Sequence, residues 1–305
     1  MFQGRILITG GSGTLGRSIV QWAQAAERDC TFTIYSRSEL RQAQMKADFP
    51  HLRYIIGDVR DKAQLCAAAA GHDIVIHAAA MKRIPECEAF PVECAKTNVL
   101  GSQNVVEACL AGRVPRCVGI STDKACAAIT TYGASKRMME GMFQQADLDG
   151  RLTTFTLVRY GNVVASNGSV IPIWKQQAKD GGPLTITGGE MTRFWMSRYD
   201  AVQLIERALT YDPGMICVPK MGALSIMEMA AIVAPGVTLQ DIGLRSREKT
   251  HEDLINSNEA AHHDGTSHFV IHNSSEAAGI SYTSQNARKL SAWEFREMLD
   301  VAGGV

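Results

Sequence analysis

The chain has 305 residues, enough for one large domain or two modest ones around a sizeable core. Its 31 basic and 31 acidic residues balance, so no global charge draws it to nucleic acid or a membrane surface, and any polyanion site has to be local. No apolar run approaches the roughly 20 residues of a membrane span, the eight cysteines lack paired metal spacing, and the N-terminus opens directly on an apolar strand pattern; a cytoplasmic protein without signal peptide, disulfides or metal is expected.

In chain order, Arg5 to Thr9 reads as a short strand that enters Gly10-Gly11-Ser12-Gly13-Thr14-Leu15-Gly16, and a helical run begins at Arg17. Glycines at 10, 13 and 16 suit a tight turn, close approach of a pyrophosphate to backbone amides, and packing of helix on strand. A glycine-rich turn alone is a weak signal. This one follows a strand, opens a helix and starts an alternation of strand and helix, which makes it a dinucleotide cradle with Ser12, Thr14 and Leu15 in its wall. The next strand, Cys30 to Tyr35, ends in Ser36-Arg37 with Arg41 a turn later. An NAD site normally shows an acid there to hold the ribose hydroxyls; a guanidinium in its place favours a 2′-phosphate, hence NADP over NAD. The plainer alternative is a solvated arginine at a helix start. Leu52 to Ile56 ends in Gly57-Asp58-Val59, with Asp58 a candidate partner for the adenine, and Asp73 to His77 ends in Ala78-Ala79-Ala80, small enough for a dinucleotide to lie against.

Arg116 to Ile120 is a buried strand pattern, so Ser121-Thr122-Asp123-Lys124 falls at its carboxyl end, where open α/β sheets bind ligands. Tyr132 to Phe143 carries good helix formers, placing Tyr132 and Lys136 on one face. A tyrosine base near neutral pH has to come down from about 10, at about 3 to 4 kcal/mol of preferential phenolate stabilisation; a nearby lysine and a nicotinamide cation are neighbours that supply it. Such a pair arises by chance on many helices, and its surroundings give it weight here. Cys126 lies between the Asp-Lys pair and the tyrosine helix. After Asn162 the composition turns to Gly, Ser and Pro, and Ser169-Val170-Ile171-Pro172 starts a helix whose free amides face a diphosphate. Arg198 to Tyr211 is an amphipathic helix returning to the first domain, and His262-His263 fall in a polar loop. The expected architecture is α/β: a Rossmann-type doubly wound parallel sheet over 1–163, rejoined by about 193–212, with a smaller substrate domain over 164–305.

Glycines 10, 13 and 16, Tyr132-x-x-x-Lys136, and Asn98 within KTNVLGSQNV resemble the extended short-chain dehydrogenase/reductase family. The chain is similar over nearly its whole length to the UDP-N-acetylglucosamine 4,6-dehydratases, above all the inverting soluble type. The carrying stretches are YSRSEL (35–40), HAAAMKRIPECE (77–88), STDKA (121–125), YGASK (132–136), VRYGNVVASNGSVIP (158–172), MTRFWM (191–196), REKTHE (247–252) and YTSQN (282–286). Asp-Lys at 123–124 is the N-acetylhexosamine form of the pair; simple epimerases usually have small or hydroxyl residues there.

The resemblance implies that Tyr132, lowered by Lys136, removes the C4 hydroxyl proton with Thr122 on the same oxygen, that Lys124 takes the C5 proton, and that Asp123 protonates the leaving C6 hydroxyl. It further implies cofactor contacts from Lys82 and Asn98, a diphosphate held by Asn162, Arg193 and Arg245 near Ser169, Val170 and Lys82, and a uridine ribose on Glu248. A UDP-N-acetylhexosamine is the implied partner and a homo-oligomer the implied assembly. The chain departs from the family pattern at Ala127 to Thr131, before the tyrosine, and at Arg247, where glycine is usual and a cation would crowd the uridine or add a phosphate contact. Two other classes remain open: a 4-epimerase using only the Tyr-Lys half, and an NADP-binding sensor without turnover.

Overall fold

The computed structural model describes residues 1–148, 152–166, 169–244, 246–272, 276 and 279–301. Short apolar runs between turn residues form β1 (Gly4–Thr9), β2 (Cys30–Ser36), β3 (Arg53–Ile56), β4 (Ile74–His77), β5 (Arg116–Ile120) and β6 (Thr154–Val158). All but β3 are largely buried, as a parallel sheet covered on both faces requires. Between them run α1 (Thr14–Ala25), α2 (Glu39–Asp48), α3 (Lys62–Ala69), α4 (Ile84–Ala89), α5 (Pro91–Ala95), α6 (Gly101–Ala111) and α7 (Thr131–Leu148), with a π-turn over Lys96–Leu100 leading into α6. These six strands pair in parallel in the order β3-β2-β1-β4-β5-β6. The order reverses between β1 and β4, and that switch point opens a crevice at the strand carboxyl ends.

Past β6 the chain builds a second layer. It comprises β7 (Asn162–Val163), α8 (Val170–Lys179), β8 (Leu184–Ile186) and β9 (Thr192–Met196). Helix α9 (Arg198–Ala208) then returns to α1, capped by a reciprocal Ser197–Asp200 pair, and its Glu206 accepts from Arg28 Nε at 3.1 Å and from the Phe2 amide at 3.0 Å. After β10 (Ile216–Pro219) come β11 (Gly222–Ser225), α10 (Ile226–Val233), β12 (Leu239–Asp241), β13 (Asp253–Ile255), β14 (Ala260–His263), β15 (His268–His272), β16 (Tyr282–Thr283) and α11 (Ala292–Val301). β10 extends the main sheet beside β6, and β15 and β14 finish it antiparallel, for nine strands in all among the described residues.

The return to the first sheet therefore runs to residue 272, well past the expected 193–212 segment. His262 and His263 are not in a loop: they pair with β15 as the edge strand β14, and His262 stacks on His272 with ring centroids 4.5 Å apart. A second apolar cluster, with Trp174, Leu184, Trp195, Met229 and Phe295, fills the second layer. Among the described residues no helix is long and apolar enough to cross a membrane, and no group of His, Cys, Asp and Glu is placed to hold a metal. All eight cysteines are free.

Candidate active site

A cavity of about 780 Å³ runs along the strand carboxyl ends from the glycine turn to β9. Gly10, Ser12, Gly13, Thr14 and Leu15 form one end, with Ser36, Arg37, Arg41, Asp58, Val59, Ala78, Ala79, Ala80 and Lys82 beside them. Gly10 has φ +69°, and a Cβ there would sit 2.8 Å from the Ala79 backbone, so only glycine lets β1 turn against the alanine strand end. The open glycine turn, the three alanines and the absence of a carboxylate at the end of β2 fit a dinucleotide laid across the switch point. Ser12 Oγ and Ser36 Oγ, 2.8 Å apart, tie the turn to the end of β2. Asp58 is already engaged: Arg60 holds its carboxylate through Nε at 2.9 Å and Nη2 at 2.6 Å, and Arg37 lies 3.8 Å away. These cations hold Asp58 below the ordinary carboxylate range against the opposing effect of burial.

The residues expected to transfer protons gather around the middle of the cavity. Thr122 caps the short turn Asp123–Ala125, and its hydroxyl donates to Asp123 Oδ1 at 2.8 Å; Lys124 Nζ donates to the same oxygen at 3.0 Å. Thr122, Lys124, Tyr132 and Lys136 line the cavity; Asp123, expected to act on the sugar directly, does not line it and sits fully buried behind them, joined to it through the Thr122 hydroxyl and Lys124 Nζ. Burial raises the Asp123 carboxyl, with Lys124 opposing and Glu252 adding to the rise. Burial works against the Lys124 ammonium, but Asp123 and Glu252 outweigh it and hold Lys124 above its ordinary value. Gly133 brings the start of α7 onto this turn: a Cβ there would stand 2.1 Å from the Lys124 carbonyl oxygen.

Lys136 is buried one turn into α7, with Nζ 3.2 Å from Met139 Sδ, and burial pushes it down to about 8. The expected lowering of Tyr132 by Lys136 does not occur in this arrangement. Burial and the Asp123 charge push the phenol above its ordinary value, and only the Thr122 hydroxyl opposes them.

On the far side, Asn162, Ser169, Val170, Arg193 and Glu248 line the cavity as expected; Arg245 lies outside the described residues. Arg193 is anchored by the Thr192 and Thr250 carbonyls at 2.8 and 3.1 Å, with Glu248 Oε1 at 3.5 Å. Arg247 does not line the cavity. It has φ +61° and pairs with Glu88 at 2.8 Å, whose other oxygen accepts from the Thr131 amide at 2.6 Å. The two departures from the family pattern thus meet on one carboxylate outside the cavity lining.

Two expected cofactor residues stand behind the wall. Gly16 packs inside the first turn of α1, and Asn98 spends its amide on scaffold, accepting from Met81 N and donating to Met81 O, both at 2.8 Å, and donating to Ser135 Oγ at 2.9 Å. The sequence reading missed Tyr160, which lines the cavity beside Tyr132, and Glu252, whose Oε1 lies 3.4 Å from Lys124 Nζ. Both lie inside recognisable motifs, RYGN and REKTHE, whose neighbouring residues Asn162 and Glu248 carry the expected roles.

Sheet order, glycine turn and the Tyr-x-x-x-Lys helix beside a strand end define a Rossmann-type α/β fold. The chain belongs to the polysaccharide biosynthesis protein family, whose model matches residues 6–274. It is 42% identical over 261 residues to a UDP-N-acetylglucosamine 4,6-dehydratase (inverting) of Campylobacter jejuni, covering 84% of this chain and 78% of that one. It is 36% identical to a UDP-glucose 4-epimerase of Rickettsia bellii, covering 96% and 94%. Among solved structures, Pen from Bacillus thuringiensis superposes with a TM-score of 0.90 at 31% identity over 98% of both chains. DesIV, a dTDP-glucose 4,6-dehydratase of Streptomyces venezuelae solved with NAD bound, shares the fold at a TM-score of 0.73 and 23% identity over 81% of this chain and 86% of that one.

Proposed function

We propose that the protein is a cytoplasmic NADP-dependent UDP-N-acetylglucosamine 4,6-dehydratase that inverts C5, with 1–163 carrying the dinucleotide and 164–305 most of the sugar nucleotide. The carrying observation is the Asp123–Lys124 pair, hydrogen-bonded at 3.0 Å beside Tyr132, since an epimerase has no use for a second acid and base. Held by the Gly10 to Leu15 turn and by Arg37 and Arg41, the dinucleotide would supply reversible hydride chemistry, leaving the overall reaction with no net redox change. Tyr132 accepts the C4 hydroxyl proton with Thr122 on the same oxygen, a step for which the positive charge of a bound nicotinamide would have to offset the burial and the Asp123 charge that hold the phenol up; with C4 a ketone, the C5 hydrogen is acidic. Proton transfer along the Lys124–Asp123 bond turns an ion pair into amine and acid, the forms elimination needs. Lys124 then takes the C5 proton, Asp123 protonates the C6 oxygen, and water leaves. Return of a proton to the opposite face of C5 gives a 4-keto-6-deoxy sugar of L configuration.

Arg37 and Arg41 support NADP, Arg193 with Asn162 and the start of α8 supports the diphosphate, and Glu248 supports the ribose. Exposed Phe90, Val92, Leu100 and Met138, on or beside the adjoining helices α4 to α7, support a homo-oligomer, to be checked by sedimentation.

The epimerase is the second reading, favoured by the match to the Rickettsia relative along nearly the whole chain. Proton NMR of the protein with UDP-N-acetylglucosamine and NADP in deuterated water decides. A new C6 methyl signal with deuterium at C5 establishes the dehydratase, and ring couplings report inversion. The galacto isomer without a methyl signal establishes the epimerase. Neither product sinks both.

A further inference from the structure

Two buried carboxylate oxygens beside the catalytic turn have no hydrogen-bond partner among the described residues, Asp123 Oδ2 and Glu252 Oε2. The first belongs to the acid already placed. Glu252 comes from the other end of the chain and does not line the cavity. Its backbone is pinned by exchange with Ser284, whose Oγ accepts from the Glu252 amide at 2.9 Å and whose amide donates to the Glu252 carbonyl at 2.8 Å. Ser284 Oγ also donates to the Thr192 carbonyl at 3.1 Å, next to Arg193. So fixed, Glu252 Oε1 stands 3.4 Å from Lys124 Nζ and 3.9 Å from Arg193 Nε, with Lys249 Nζ 4.0 Å from Oε2.

Three cations surround this carboxylate, and they differ in what else they hold. Lys249 has Asp253 at 3.0 Å and the Cys126 carbonyl at 2.7 Å; Arg193 has two carbonyls and Glu248. Lys124 Nζ has Asp123 and Glu252. Loss of the Glu252 charge therefore falls mainly on Lys124.

We infer that Glu252 is a positioning residue for the elimination, holding Lys124 Nζ between two carboxylates so that, once its proton has passed to Asp123, the amine stays aimed at C5. In that step one proton passes from C5 to Lys124 Nζ and one from Asp123 to the C6 oxygen, which leaves as water. The Glu252 charge is constant throughout. The directions at the site agree: Asp123 and Glu252 hold Lys124 up against burial, with Arg193 opposing, and Lys124, Arg193 and Lys249 hold Glu252 below the ordinary carboxylate range against burial. The kinetic part rests on the dehydratase reading; the electrostatic part does not.

The test follows the Lys124 Cε signal by NMR of lysine-labelled holoenzyme against pH, assigned with Lys124→Ala. In Glu252→Gln the Lys124 midpoint falls by about one pH unit or more, about tenfold in acid dissociation; an unmoved midpoint overturns the inference. With UDP-N-acetylglucosamine, Glu252→Gln slows methyl formation about tenfold while hydride withdrawal from C4, read by reduced-cofactor absorbance, stays within about twofold. Glu252→Asp, which keeps the charge, recovers part of the rate. Equal loss of both steps without recovery in Glu252→Asp overturns the inference. Wild-type protein forming no methyl product sinks the dehydratase reading instead, and the titration still decides the role of Glu252.

Discussion

Tyr132 shows why residue type and residue state need separate arguments. Its spacing to Lys136 marks a candidate base, yet burial and Asp123 push the phenol up while Lys136 turns toward Met139. Spacing specifies who is near; depth in the core decides which charge is affordable there. Tyr132→Phe is expected to lower hydride withdrawal from C4 by at least about a hundredfold, the usual scale of a positioned acid or base, while NADP affinity stays within about twofold by fluorescence titration. Unchanged withdrawal would remove Tyr132 from the mechanism. Asp123→Asn and Lys124→Ala should abolish methyl formation and spare hydride withdrawal; loss of both together would mean that the pair only shapes the site. At the other end, replacing Arg37 and Arg41 together by alanine should reduce the preference for NADP over NAD at least about tenfold, since a 2′-phosphate relies on such charge-assisted bonds. An unaltered ratio of dissociation constants would assign these arginines to solvent.

At the scale of elements, strand ends and helix starts were legible because the sheet is buried and its strands are bounded by small or turn residues. β14 was not, because Ala260–His263 is a polar edge strand with no alternation to betray it. Asn98 was legible as important and misread in role: the motif marks the position, but the Met81 partner emerges only when the π-turn brings the amide round. The ends of β1 and β4 carry a further consequence. His77 is fully buried between Thr9 Oγ1, 2.8 Å from Nδ1, and Ser102 Oγ, 3.0 Å from Nε2, and burial, aided by Lys136, lowers it from the ordinary 6.5 to about 3. The unfolded chain binds this proton below about 6.5 and the folded chain does not. Stability is therefore full above that pH and declines as pH falls towards 3, by about 1 kcal/mol per pH unit. Urea unfolding of wild type and His77→Gln at pH 6.5 and 5.5 checks it: the wild type should lose about 1 kcal/mol more over that step, and equal losses would refute the assignment.

For the whole molecule, the link between the two ends of the chain is a charge cluster that pattern reading does not reach. Arg159, at the end of β6, is fully buried and uses its whole guanidinium. Nε and Nη2 donate to Glu140 at 2.9 and 2.8 Å, Nη2 and Nη1 donate to Glu259 at 2.8 and 2.9 Å, and Nη1 also donates to the Leu254 carbonyl at 2.9 Å. Glu140 lies one turn beyond Lys136 on α7 and accepts from Ser121 Oγ at 2.6 Å, while Glu259 immediately precedes β14. One side chain thus joins the tyrosine helix, the turn after β5 and the returning C-terminal segment. The VRYGN stretch marks Arg159 in the sequence, but nothing local says that its partners are Glu140 and Glu259, because charge pairing between distant segments leaves no periodic trace. Arg159→Met should cost about 3 to 5 kcal/mol in urea unfolding, since it strands the Glu140 carboxylate in the core and leaves the part-buried Glu259 unpaired. Replacing Glu140 and Glu259 by leucine in the same background should recover much of that loss, because a well-packed apolar substitute often matches a buried ion cluster. A small loss in the single variant would mean that water reaches the cluster, and that the two ends of the chain are held together by the sheet alone.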